Sequence, residues 1–139
     1  MKENFCSIGI SHWNCPLEIR ELFSINRDQS EQLIKDCINF GVSSMFTIST
    51  CNRTQIFSLD GNVHQLRKLF IKHTGGHKKE FEKYGIVLEG NQAIDQLFSL
   101  STGIDSQILG DLQIFYQLKE GVKQAKKLNA INGIMDRLL

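Results

Sequence analysis

The chain has 139 residues, of which 41% are hydrophobic and 22% charged. That is enough for one domain with a hydrophobic core, and it excludes a disordered chain. Sixteen lysines and arginines against 15 acidic residues leave a net charge of +1, which excludes an overall basic field but not a local basic face.

Residues 3 to 11 read as a first strand, with Phe5, Ile8 and Ile10 among small residues. Pro16 suits the first turn of a helix, "PLEIRELFSI", because its missing N–H would be unpaired there anyway. Asn26 or Asp28 is placed to cap a second helix, "QSEQLIKDCINF", whose apolar face carries Leu33, Ile34, Cys37 and Ile38 and which Gly41 stops. "VSSMFTIS" and "TQIFSLD" read as two neighbouring strands. "VHQLRKLFIKHTGG" is a helix with Leu66, Leu69 and Phe70 inward, "YGIVLEG" a short strand, and "NQAIDQLFSLSTG" a helix with Ile94, Leu97 and Phe98 inward. The last long segment, "SQILGDLQIFYQLKEGVKQAKKL", is helical, and Lys119, Lys123, Lys126 and Lys127 form a solvated face that suits the helix dipole. The order β-α-β-β-α-β followed by helices predicts an α+β ferredoxin-like sandwich, an antiparallel sheet with helices on one face. The chain ends in "NAINGIMDRLL", which reads as the start of a further helix and of a longer protein.

The stretch with the least structural reason is "STCNR", residues 49 to 53. A cysteine between two strands reaches solvent at the sheet edge. Arg53 beside it either favours the thiolate, the attacking form in nucleophilic catalysis, or grips a carboxylate through its fork. A polar turn with an incidental thiol is the plain alternative. The other cysteines read as structural or inert: Cys6 in a strand, Cys37 on an apolar helix face, Cys15 before Pro16. Their spacing does not suit zinc, so no metal site is expected, and reduced thiols are the better reading. His64, His73 and His77 are expected to be solvated, and His12 to be a turn or packing residue. No G-x-G-x-x-G occurs, so no dinucleotide site is expected in this chain. No run of about 18 apolar residues occurs, and "MKENFCSIGIS" is too polar for a secretory signal. A cytoplasmic protein without a membrane partner is expected.

Three stretches, "GISHWNCPLEIRE", "STCNRTQIF" and "LFSLSTGIDSQILGDLQIFYQLKEG", occur in this order. Together they resemble the N-terminal catalytic domain of glutamyl-tRNA reductase, over roughly residues 7 to 127. The resemblance implies an NADPH-dependent enzyme that converts glutamyl-tRNA to glutamate-1-semialdehyde, at the start of the C5 route to tetrapyrroles. It implies that Cys51 attacks the ester to form a thioester that hydride then reduces. It implies that Thr50, Asn52, Arg53, Ser106, Asp111, Leu112, Gln113 and Gln117 line the substrate site. It further implies that NADPH binds a domain following residue 139, that the whole protein is a homodimer, and that the downstream glutamate-1-semialdehyde aminomutase is a partner. Residues 1–128 would then be the catalytic domain and 129–139 the start of a linking helix.

The sequence departs from the family pattern at several positions. Gln96 stands where the family has a histidine thought to assist at the thioester, and His12 is one candidate replacement. Asp111-Leu112 replaces Glu-Pro, Trp13 a lysine, Cys15 an alanine and Ser99 an arginine. Two competing readings are a non-catalytic ferredoxin-like binding or regulatory module and a stand-alone thiol esterase.

Overall fold

The computed structural model describes residues 5–102 and 112–131, with side chains over 5–100 and 116–131. In chain order the elements are β1 (Cys6–Ser11), α1 (Leu17–Phe23), α2 (Arg27–Asn39), β2 (Met45–Ser49), β3 (Arg53–Ser58), α3 (Val63–His73), α4 (Lys78–Tyr84), β4 (Ile86–Glu89), α5 (Asn91–Thr102) and α6 (Leu112–Lys127). The strands form one sheet in the order β2-β3-β1-β4 with every pairing antiparallel. This is the predicted ferredoxin-like arrangement.

Side chains alternate between the faces of a strand. The register therefore puts Ser7, Gly9 and Ser11 on one face with Arg53, Gln55 and Phe57, and Ile8 and Ile10 on the other with Thr54 and Ile56. Every residue of β1 and β3 is buried, so both faces are covered. On the Ile8 face, Ser30 of α2 hydrogen-bonds Thr47, and α3 packs on β1. On the Ser7 face, Gln96 of α5 meets the sheet. The helices before β4 thus lie on one face as expected, and the C-terminal helices close the rest. The helix α6 runs against edge strand β2 so closely that a methyl group at Gly121 would sit 2.1 Å from the carbonyl oxygen of Thr47.

Local signals set most boundaries. Of the two cap candidates, Asn26 caps α2: its Oδ1 accepts from the N–H of Gln29 at 2.8 Å, and Oε1 of Gln29 accepts from the N–H of Asn26 at 2.9 Å. Gly41, at φ +96°, takes the left-handed conformation that ends the helix. Three readings are corrected. Helix α4 was not predicted. Its single buried residue, Phe81, leaves no periodic stripe, and the helix is held by a ring cluster with Phe23 and Phe70 at 5.8–6.2 Å. Phe98 is 47% exposed because the inward stripe of α5 is Ala93, Ile94, Leu97 and Leu100. His73 is not solvated: it is largely buried, and its Nε2 lies 2.8 Å from Asp36, which also pairs with Lys72 at 3.0 Å.

Candidate functional site

The hairpin turn joining β2 to β3 carries Thr50, Cys51 and Asn52. The Thr50 hydroxyl organises it, accepting from the N–H of Asn52 at 3.1 Å and of Arg53 at 3.3 Å, while the N–H of Thr50 donates to the carbonyl of Arg53 at 2.7 Å. Three backbone N–H groups are satisfied inside four residues, and Cys51 is left exposed at the tip. The other three thiols are buried. Burial pushes the Cys6 thiol up to about 11 and that of Cys37 up to about 12, and it raises Cys15. An accessible thiol at Cys51 and core thiols at Cys6 and Cys37 is the division the sequence suggested, and Cys15, read as an inert turn thiol, is buried as well.

Arg53 begins β3, and its side chain is almost fully buried at 2% exposure. Its Nη1 donates to Oε1 of Gln55 at 3.2 Å. Gln55 in turn donates from Nε2 to Oγ of Ser7 at 3.0 Å and to Oε1 of Gln96 at 2.8 Å, and Ser7 donates to Gln96 at 3.4 Å. A polar chain therefore crosses the sheet from the hairpin to α5, with Arg53 at the hairpin end. Gln96 serves here as an acceptor that fixes Gln55, a job an amide performs well although it cannot carry a proton between substrates. Ser11 lies opposite Arg53 in the ladder, and its buried hydroxyl has no hydrogen-bond partner among the described residues. His12, next in the chain, is at the same end of the sheet, and its ring packs on Trp13 at 4.5 Å.

A cleft of about 220 Å³ opens beside β2, between α2 and α6. Gln117 lines it, as do Ser49, Glu120 and Gln124. Oε1 of Gln124 accepts from Ser30 at 2.9 Å, and its Nε2 donates to the carbonyl of Arg27 at 3.0 Å. The structure thus brings Thr50, Cys51, Asn52 and Arg53 together on one turn, puts Gln96 on the polar chain, and sets Gln117 in the neighbouring cleft. Ser106 and Asp111 lie outside the described residues. Leu112 and Gln113 open α6, but their side chains lie outside the described part. Sequence reasoning overlooked Gln55 and Ser7. Their signal was two polar residues on the same alternating face as Arg53, in strands otherwise reading as core.

No helix among the described residues is long and apolar enough to cross a membrane. Comparison with known families matches residues 8–139 to the glutamyl-tRNAGlu reductase N-terminal domain. A glutamyl-tRNA reductase of Christiangramia forsetii is 39% identical over 99% of this chain, and one of Flavobacterium psychrophilum is 36% identical over 97%. The chain spans 33% of the length of each. The solved structure of glutamyl-tRNA reductase from Methanopyrus kandleri superposes with a TM-score of 0.80 over 98% of this chain and 31% of that one, at 22% identity. That likeness establishes the shared fold.

Proposed function

Because the chain belongs to the glutamyl-tRNA reductase N-terminal domain family, we propose that it is the acyl-accepting domain of such a reductase, acting on glutamyl-tRNA at the first step of C5 tetrapyrrole synthesis. The observation that carries this reading is the presentation of a single exposed thiol, Cys51, on a turn whose next residue but one is the buried Arg53.

The Cys51 sulfur attacks the carbonyl carbon of the ester joining glutamate to the tRNA. The carbon–oxygen bond to the terminal ribose breaks, the ribose oxygen leaves with a proton, and glutamate remains as a thioester. A thioester is more readily reduced than an oxygen ester, and covalent capture divides one difficult step into two. Arg53 holds the side-chain carboxylate of the glutamyl group. Gln55, Ser7 and Gln96 keep its guanidinium at one height on the sheet. Thr50 keeps the turn rigid, so that the thiol and the guanidinium face the same small group. Asn52, Ser106, Asp111, Leu112, Gln113 and Gln117 are further substrate contacts in this reading.

The reductant in this reading is NADPH. The described residues do not fit a dinucleotide: every strand pairing is antiparallel, and no glycine-rich turn links a strand to a helix in a βαβ unit. The chemistry assigned to this chain therefore ends at the thioester.

The test mixes the chain with glutamyl-tRNA in the absence of NADPH, quenches with acid and weighs the intact protein. A glutamyl adduct that maps to Cys51 and is lost in Cys51→Ser is expected. Absence of any adduct, with the charged tRNA intact at concentrations where binding is measured directly, would leave the non-catalytic module as the better account.

A further inference from the structure

The near-neutral chain hides a strong local imbalance. Between Val63 and Tyr84 lie six lysines and arginines and only two acidic residues, both glutamates, against a net charge of +1 for the whole chain. The fold concentrates part of this excess in a groove. His64, Arg67 and Lys68 of α3 face Lys78 of α4 across a cavity of about 360 Å³ floored by Ile71. A second cavity of about 330 Å³ continues it past His64 and Lys68 toward the exposed ring of Phe40. Glu82 pairs with Arg67 at 3.1 Å and reaches Lys78 at 3.8 Å, and the Arg67 guanidinium also lies 5.7 Å from the centre of the Phe81 ring. Arg67 is thereby held in place, while Lys68 and Lys79 have no ion pair among the described residues.

We propose that this α3–α4 groove is a phosphate-binding track for the body of an RNA whose 3′ end is at Cys51. The proposal rests on the reading given under Proposed function and adds to it where the polyanion lies. Two observations favour RNA over a small anion. The basic groups line a cavity that continues past His64 and Lys68 into a second one, a longer track than a small anion fills. The N-terminal half of α3 follows the far end of β3, six residues from the Cys51 turn, which corresponds to about 20 Å of strand. A glutamyl group is far too short to touch both. A nucleic-acid stem with its terminal ester at Cys51 spans that distance, and its backbone repels every acidic face but suits this one.

The test is fluorescence anisotropy of uncharged tRNA-Glu transcript with the chain, between 50 and 200 mM salt, for the wild type and for the exposed triple variant Lys68→Glu/Lys78→Glu/Lys79→Glu. Each lost phosphate contact should lower the slope of log affinity against log salt by roughly 1. The variant is expected to bind at least about 10-fold more weakly at the lowest salt, with a clearly flatter slope. Its circular dichroism and its rate of Cys51 alkylation should equal those of the wild type. Unchanged affinity and slope would overturn the proposal, as would stronger competition from polyglutamate than from unrelated RNA, which would assign the groove to an acidic protein. Acylation by a small glutamyl thioester reads Cys51 without RNA. Loss of RNA binding with normal acylation supports the groove, and failed acylation with normal RNA binding counts only against the Cys51 reading.

Discussion

At the scale of single residues the site depends on what each side chain is allowed to touch. Cys51 is exposed, whereas burial protonates and encloses Cys6, Cys15 and Cys37. Iodoacetamide at pH 8 is therefore expected to label Cys51 at least about 100-fold faster than Cys6 or Cys37, followed by peptide mass mapping. Comparable labelling of all four thiols would mean that the enclosure is not maintained in solution. Gln55 is the joint of the polar chain, and Gln55→Leu removes the acceptor of the Arg53 Nη1 hydrogen bond and the donor to the Ser7 hydroxyl. A stability loss of about 1–3 kcal/mol, read from urea midpoints, is expected. The yield of the Cys51 thioester should fall by more than that instability explains. The Cys51 turn and the companion Arg53 were legible in five residues of sequence, because polar turn chemistry is local. Gln55, Ser7 and Gln96 were not read as one unit, because 41 residues separate Gln55 from Gln96 and only the sheet register and α5 bring them together.

At the scale of elements, two joints decide how the helices sit. Gly121 lets α6 touch β2 at the backbone. Gly121→Ala should lift α6 from the sheet, cost about 1–3 kcal/mol and widen the cleft holding Gln117, despite the better helix propensity of alanine. An unchanged or raised melting temperature would show that α6 is not seated this closely. The second joint ties α2 to α3 through Asp36, whose carboxyl is held below the usual carboxylate range first by its hydrogen bond to His73 and then by Lys72. A depressed folded-state value contributes stability above the unfolded carboxylate range and loses it as pH falls through the folded value. Acid titration of stability should thus show a shallower fall below about pH 4 in Asp36→Asn than in the wild type. The sequence announced α2 through the Asn26 cap and α3 through its apolar stripe. It did not announce α4, a seven-residue helix with one buried ring, because its reason to exist is the distant pair Phe23 and Phe70.

At the scale of the whole molecule, the fold is a four-stranded sheet covered on both faces, with β2 at one edge. The edge is closed by α6 and by the N–H of Met45 donating to the carbonyl of Ala130 at 2.7 Å. Exposed strand edges template association. Ending the chain at residue 111 should therefore yield concentration-dependent oligomers in light scattering, where the intact chain stays at one size. The sequence by itself determined the order of the strands and of every helix but α4, the ferredoxin-like class, the family and the exposed thiol. Those follow from periodicity, caps, turn residues and short motifs, all of which act within a few positions of the chain. Tertiary structure alone decided that both sheet faces are covered, that Arg53 is buried in a chain of amides, and that the basic residues of α3 and α4 share a groove. Each of these depends on contacts between segments far apart in sequence, where packing and register, not local preference, set which side chains meet.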